Sequence, residues 1–182
     1  MAIYTNLREV ADNLHGMFES SRLKATVVGH LYDVIVREDE TEIAVDNGVC
    51  VRVGEYTGDG LQTRYAAVAK AGDKVAVTGS PATVKHAVTR GQEAAYNFYH
   101  AAGVVAKAYE LVEEDIFAVA KYQFASGDPV VGAYVTVDGN GAYAATTGKP
   151  ADTYGFVGRV HSIASNDYYP MVRIEVIKNE QV

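Results

Sequence analysis

Glycines set beside aspartate or asparagine punctuate this chain: Asn47-Gly48, Gly58-Asp59-Gly60, Gly72-Asp73, Gly127-Asp128 and Asp138-Gly139-Asn140-Gly141. Such pairs supply the positive-φ positions that tight turns between strands need. Short runs rich in Val, Ile, Tyr and Thr lie between them. Val49, Val51 and Val53 alternate with Cys50 and Arg52, so the two sets face opposite ways on a strand. Val172, Ile174 and Val176 repeat the pattern, with Arg173, Glu175 and Lys178 polar. The expected fold is mainly β, an antiparallel β-sandwich or barrel. Arg64–Ala69 and Lys74–Thr78 read as two strands joined by a hairpin turn at Ala71-Gly72-Asp73. The acidic run Glu38-Asp39-Glu40-Thr41-Glu42 reads as a solvated turn, and Asp138–Gly141 as a hairpin turn.

A short amphipathic helix is expected near the start. Leu7, Val10, Ala11, Leu14, Met17 and Phe18 recur at helical spacing, which places the helix over about residues 6–18. Asn6 and Glu9 stand at the spacing of a capping box. Residues 1–24 then form a helical arm on a β-rich body, 25–182. The body divides into two small β units, 25–81 and 113–178, joined by 82–112. Within that joining stretch Gln92–Tyr99 and Val104–Val112 favour helix by propensity. Val105, Lys107, Tyr109 and Leu111 alternate as in a strand, so a second short helix stays open.

Chemistry is sparse. The net charge is −7, which argues against gripping phosphate backbones and hence against direct nucleic-acid binding. No apolar window is long enough to span a membrane, so no membrane partner is expected. The N-terminal stretch lacks the pattern of a signal peptide, and the one cysteine, Cys50, allows no intrachain disulfide. His15, His30, His86, His100 and His161 have no metal-type partners at helical or strand spacing. Asp138–Gly141 lacks the alternating acids and closing Glu of a calcium loop. No phosphate-cradling or nucleophile motif occurs. The expectation is therefore no catalytic residue, no cofactor and no metal. Tyrosine is the remaining signal, because its amphipathic ring suits interfaces. Tyr96, Phe98 and Tyr99 cluster, as do Tyr168 and Tyr169; ordinary sheet packing is the competing reading. Ile3, Tyr4, Leu7, Leu14 and Phe18 on the arm complete the candidate interface.

Several segments read together. Asp46–Gly54, Tyr65–Ala69, Gly72–Pro81, Ala102–Leu111 and Asp115–Val119 are followed by Gly158–Val160 and Val172–Ile177. This order of glycine and hydrophobic patterns resembles the small head proteins of tailed bacteriophages, of the capsid decoration or auxiliary type. The resemblance spans about residues 45–178 and carries no catalytic signature. It implies a mainly β, non-enzymatic virion protein, made in the host cytoplasm and bound to the outside of the coat. The major capsid protein would be its partner and a homotrimer its state. A tail or head–tail joining protein, or a small-molecule-binding β-barrel, are the alternatives.

Overall fold

The computed structural model describes residues 16–24, 30–58, 60, 62–80, 98–164 and 170–182. The protein is mainly β, a five-stranded closed barrel packed against a seven-stranded sheet. The barrel is built from β2 (Leu31–Glu38), β5 (Cys50–Tyr56), β6 (Arg64–Val68), β7 (Ala76–Thr78) and β9 (Ala106–Glu110). Its order is β2-β6-β5-β7-β9, closed by β9 pairing back onto β2. A two-residue strand, β3 (Thr41–Glu42), extends the barrel along β2, and β4 (Val45–Asp46) pairs with β8 (Tyr99–His100) beside it. The sheet adds β1 (Phe18–Arg22), β10 (Ile116–Ala120), β11 (Phe124–Ser126), β12 (Tyr134–Val137), β13 (Tyr143–Thr146), β14 (Phe156–Ala164) and β15 (Met171–Asn179). Its order is β1-β10-β15-β14-β12-β13-β11. Most pairings are antiparallel; β2–β6 and β11–β13 are parallel.

Strand alternation sends neighbouring residues into different cores. In β5, β7 and β9 the residues Val51, Ala76 and Ala108 line the bore of the barrel. Their neighbours Cys50, Val77 and Tyr109 point outward to the sheet. The bore is narrow and is filled by Val34, Val36, Val51, Ala66, Ala76, Ala106 and Ala108. Outside it, Phe117, Val119, Val135, Val137, Tyr143, Phe156, Val172 and Ile174 from the sheet close over the barrel wall. Burying each large apolar side chain contributes about 1.5–3 kcal/mol before entropy costs. The part of the wall formed by β5, β7 and β9 thus serves two cores and fixes barrel to sheet.

Side-chain amides complete the join by pairing with backbone groups, as a strand would. Asn179 accepts from the Val75 N–H (2.8 Å) and donates to the carbonyls of Val75 (2.8 Å) and Leu111 (2.7 Å). Asn47 does the same for Ser80, donating to its carbonyl and accepting from its N–H, both at 2.9 Å. Gln123, in a single 3-10 turn, accepts from the Met17 and Ala120 N–H groups (3.0 Å each) and donates to the Asn47 carbonyl (2.9 Å). Buried Asp115 accepts from the N–H groups of Lys24 (2.8 Å) and Val112 (2.9 Å). Gly48, at φ 82, brings its carbonyl to the buried Tyr143 hydroxyl, which donates to it at 2.8 Å.

Two expectations change and one open choice closes. Phe18, placed at the end of a helix in the sequence reading, is the first residue of strand β1. It pairs with Val119, and its ring lies 5.4 Å from Tyr109 and 6.1 Å from Phe117. Burial against the shared core outweighs the helical spacing, so 18–22 belongs to the body. The rest of the expected helix, up to residue 15, lies outside the described residues. β6 and β7 do not form a hairpin with each other. The turn at Ala71-Gly72-Asp73 exists, with Asp73 N–H donating to the Lys70 carbonyl (3.0 Å), but β5 sits between the two strands. The choice left open for 104–111 falls to a strand over Ala106–Glu110, β9, because only small alternating side chains fit the bore. Gln92–Tyr99 falls largely outside the described residues, as do Tyr96, Tyr168 and Tyr169.

Candidate interaction surfaces

The first surface is a rim of the barrel. One edge of β2 pairs with β9 at its start (Val34 opposite Ala106) and with β3 at its end (Arg37 opposite Glu42). The residues leading into β9 therefore run beside β3. Gly103, at φ 76, packs against the Glu42 carboxylate, where a Cβ would meet Oε2 at 2.5 Å. This turn leaves Tyr99, Val104 and Val105 48%, 50% and 45% exposed. Ala101 and Ala102 are exposed with them. Next to it the β2–β3 hairpin turns on Asp39 and Glu40, at φ 46 and 67. Asn and Gly usually fill such left-handed positions; here both carry carboxylates. Glu38, Asp39 and Glu40 are exposed and have no ion-pair partner among the described residues, whereas Glu42 pairs with Arg37 at 3.4 Å. The expected Tyr99 thus stands on this rim. Phe98 is half-buried, edge-on to the His100 ring at 4.9 Å, and holds the turn in place.

The second surface is the face of the sheet turned away from the barrel. Cross-strand register lines up Arg22, Ile116, Glu175, Arg159, Tyr134 and Thr146 over six strands. Arg173 follows one register step along, opposite Ala118 and Ser162. Arg22, Arg159 and Arg173 are exposed, and none has a carboxylate in ion-pair range among the described residues. The Arg159 guanidinium lies 6.0 Å from the Tyr134 ring centre. Ile177, on the same face, is 43% exposed. Nothing in a single strand marks this row; only the pairing of six strands assembles it.

Cys50, His100 and Glu110 have structural roles, while His161 is exposed on β14. Cys50 is fully buried, and burial pushes its thiol up to about 12, so it is no thiolate. His100 is buried with Nε2 3.2 Å from the Asn47 Oδ1, and burial holds it below its ordinary value, Asp46 partly opposing. On the barrel flank, Glu110 accepts from Lys74 (2.6 Å) and from the Tyr32 hydroxyl (2.8 Å). His30 Nδ1 lies 3.4 Å from the same carboxylate. Burial alone would raise the Glu110 carboxyl, but the bonds from Lys74 and Tyr32 outweigh it and hold it below the usual range. The Glu110 carboxylate is thus held by two donors, while the His30 Nδ1 makes no hydrogen bond among the described residues; Glu110 and Lys74 line a cavity of about 240 Å³ with Arg52 and Gln181. His15 and His86 lie outside the described residues.

Concavities are modest. A cavity of about 260 Å³ sits at the barrel–sheet junction between Gly16, Tyr122, Gln123 and Tyr143. A groove of about 610 Å³ beside the rim is lined by Arg37, Arg52 and Lys70 and equally by Glu38, Asp39 and Asp73, so it selects neither charge. Among the described residues no three His, Cys, Asp or Glu side chains gather as metal ligands, and no helix is long and apolar enough to cross a membrane. No protein-family model, curated protein or solved structure matches this chain.

Proposed function

We propose that this protein is a non-enzymatic structural component of a tailed-phage virion, a decoration protein that binds the outer surface of the capsid and clamps neighbouring coat subunits. The barrel rim is the observation that carries the reading. Val104 and Val105, with Tyr99 beside them, are exposed next to Glu38, Asp39 and Glu40, which have no ion-pair partner among the described residues. Exposed apolar groups with a polar margin are what protein docking uses, and tyrosine is a common anchor there. The filled bore weighs against the small-molecule-binding barrel, because Val34, Val51, Ala106 and Ala108 leave it no interior for a ligand. On the coat, the major capsid protein is the partner and self-association makes the clamp multivalent, so modest contacts act together. The resemblance of residues 45–178 to phage head proteins supports the same assignment.

The test is co-sedimentation with undecorated heads. Val104→Asp with Val105→Asp exposes charge where apolar contact is needed and leaves the cores untouched. Retention should fall by roughly tenfold or more, the effect of losing about 1.4 kcal/mol or more. Retention unchanged in a folded double variant would show that the rim is not the docking surface. Absence of wild-type retention would overturn the capsid reading itself.

A further inference from the structure

We propose that Asn140 is a site of spontaneous deamidation, a slow chemical switch in the turn that ties the sheet to the barrel. The chain holds two Asn-Gly pairs, Asn47-Gly48 and Asn140-Gly141. With no Cβ on the second residue, its backbone nitrogen lies open to the asparagine side chain. Both glycines take the left-handed conformation, at φ 82 and 70. Their surroundings differ. Asn47 is buried, its amide is held at both ends by Ser80 (2.9 Å each), and His100 Nε2 lies 3.2 Å from its Oδ1. The Gly48 N–H donates to the Thr78 carbonyl at 2.6 Å. Neither reacting group is free to move toward the other. Asn140 is exposed, and its side chain makes no hydrogen bond among the described residues. The Asp138 carboxylate takes the N–H groups on either side, of Asn140 (2.8 Å) and Ala142 (3.1 Å). The Gly141 N–H between them donates to no group among the described residues.

The reaction needs only water. The Gly141 nitrogen gives its proton to a solvent base, and its electron pair attacks Cγ of Asn140. The Cγ–Nδ2 bond breaks, and the amide nitrogen takes a proton from water and leaves as ammonia. The cyclic succinimide that remains is opened by water at either carbonyl. Opening at Cγ gives aspartate on an unchanged backbone. Opening at the main-chain carbonyl gives isoaspartate, with the chain rerouted through the side chain. That route lengthens a turn fixed at both ends. The Asp138 N–H donates to the Ala142 carbonyl, and the Cys50 N–H of β5 donates to the Gly141 carbonyl, both at 3.0 Å. Gly141 also sits so close to the barrel wall that a Cβ would lie 2.6 Å from the Cys50 carbonyl oxygen. Isoaspartate therefore pulls the turn away from β5, and either product adds a negative charge to the groove that Asn140 lines.

Ageing the full chain at mildly alkaline pH, folded and in urea, tests this, with peptides mapped by mass spectrometry. A buried, bonded amide reacts only through local opening, so its rate is scaled down by the open population. In the folded protein Asn140 should convert to mixed aspartate and isoaspartate roughly tenfold or more faster than Asn47. In urea the two should react at similar rates. Hydroxylamine added to the folded protein should cut the chain after Asn140, the signature of the succinimide. Asn140→Gln keeps the amide but would have to close a larger ring, so it should stay intact. Aged wild type should unfold at a lower temperature than fresh wild type, and aged Asn140→Gln should not. Three results would each overturn the proposal. One is an Asn140 that stays unmodified in the folded protein while the chain in urea reacts. Another is an Asn47 that keeps pace with Asn140 in the folded protein. The third is an equal loss of stability in aged wild type and aged Asn140→Gln. None of these readouts involves phage heads, so the capsid reading stands or falls separately.

Discussion

Replacing Phe18 by alanine tests whether the chain before the barrel belongs to the body. Its ring is half-buried between Tyr109 and Phe117, at 5.4 and 6.1 Å. A fully buried Phe→Ala change costs about 3–5 kcal/mol, so a half-buried ring with two aromatic neighbours should cost about 2–3 kcal/mol. The surroundings offer a second, sharper readout. Gly79 lies directly beneath the ring, and a Cβ there would collide with the Phe18 Cδ1 and Cε1 atoms. Gly79→Ala alone should therefore cost about 1–3 kcal/mol through overpacking. With Phe18 already cut to alanine, the methyl group has room. The double variant should then be more stable than the sum of the two single changes predicts, by about 1 kcal/mol or more. Urea denaturation with unchanged m-values gives all four corners of the cycle. A Phe18→Ala cost below about 0.5 kcal/mol, the range of ordinary surface changes, would refute the packing argument. So would strict additivity with Gly79→Ala.

Other consequences follow from single residues. Gln123→Leu removes the partners of two N–H groups and a carbonyl at once, and should lower stability by about 2–4 kcal/mol in the same denaturation assay. Cys50 should resist a thiol reagent in the native protein at neutral pH and react at once in urea, since its thiol is buried and pushed up to about 12; Cys50→Ala should leave head retention unchanged. His100 has a folded pKa below its ordinary 6.5, so the unfolded chain takes the proton first and stability falls as pH drops below 6.5. Unfolding measured against pH should lose that slope in His100→Gln. Glu110 is held below its ordinary 4.5, so its contribution is present above 4.5 and is lost further down, as pH falls through the folded value.

The legible part of this fold is its punctuation. Gly48, Gly58, Gly60, Gly127 and Gly141 take positive φ, as their Asp and Asn neighbours suggested, whereas Gly72 and Gly139, in the same pattern, do not. The alternation of Val172, Ile174 and Val176 gives the inner face of β15 directly. Barrel closure is not legible, because the parallel β2–β6 pair and the β9–β2 pair join residues far apart in the chain. The alanines of β9 read as helix formers, yet a narrow bore accepts only small side chains there. Phe18 carried helical spacing and was claimed by tertiary packing. The sites divide in the same way. Tyr99 was visible as a member of the aromatic cluster Tyr96, Phe98 and Tyr99. Val104 and Val105 were visible only as part of an ambiguous stretch, and the arginine row needed the register of six strands. Asp39 and Glu40 gave a signal that could have been weighed more, two carboxylates where a two-residue turn ordinarily takes Asn or Gly.

A density map of an assembled phage particle tests the central proposal most directly. The account predicts the barrel-and-sheet body on the outside of the shell, in contact with the coat. The barrel rim with Val104 and Val105 should face the coat. Density for this chain in the tail or at the head–tail joint, or its absence from the particle, would contradict the account.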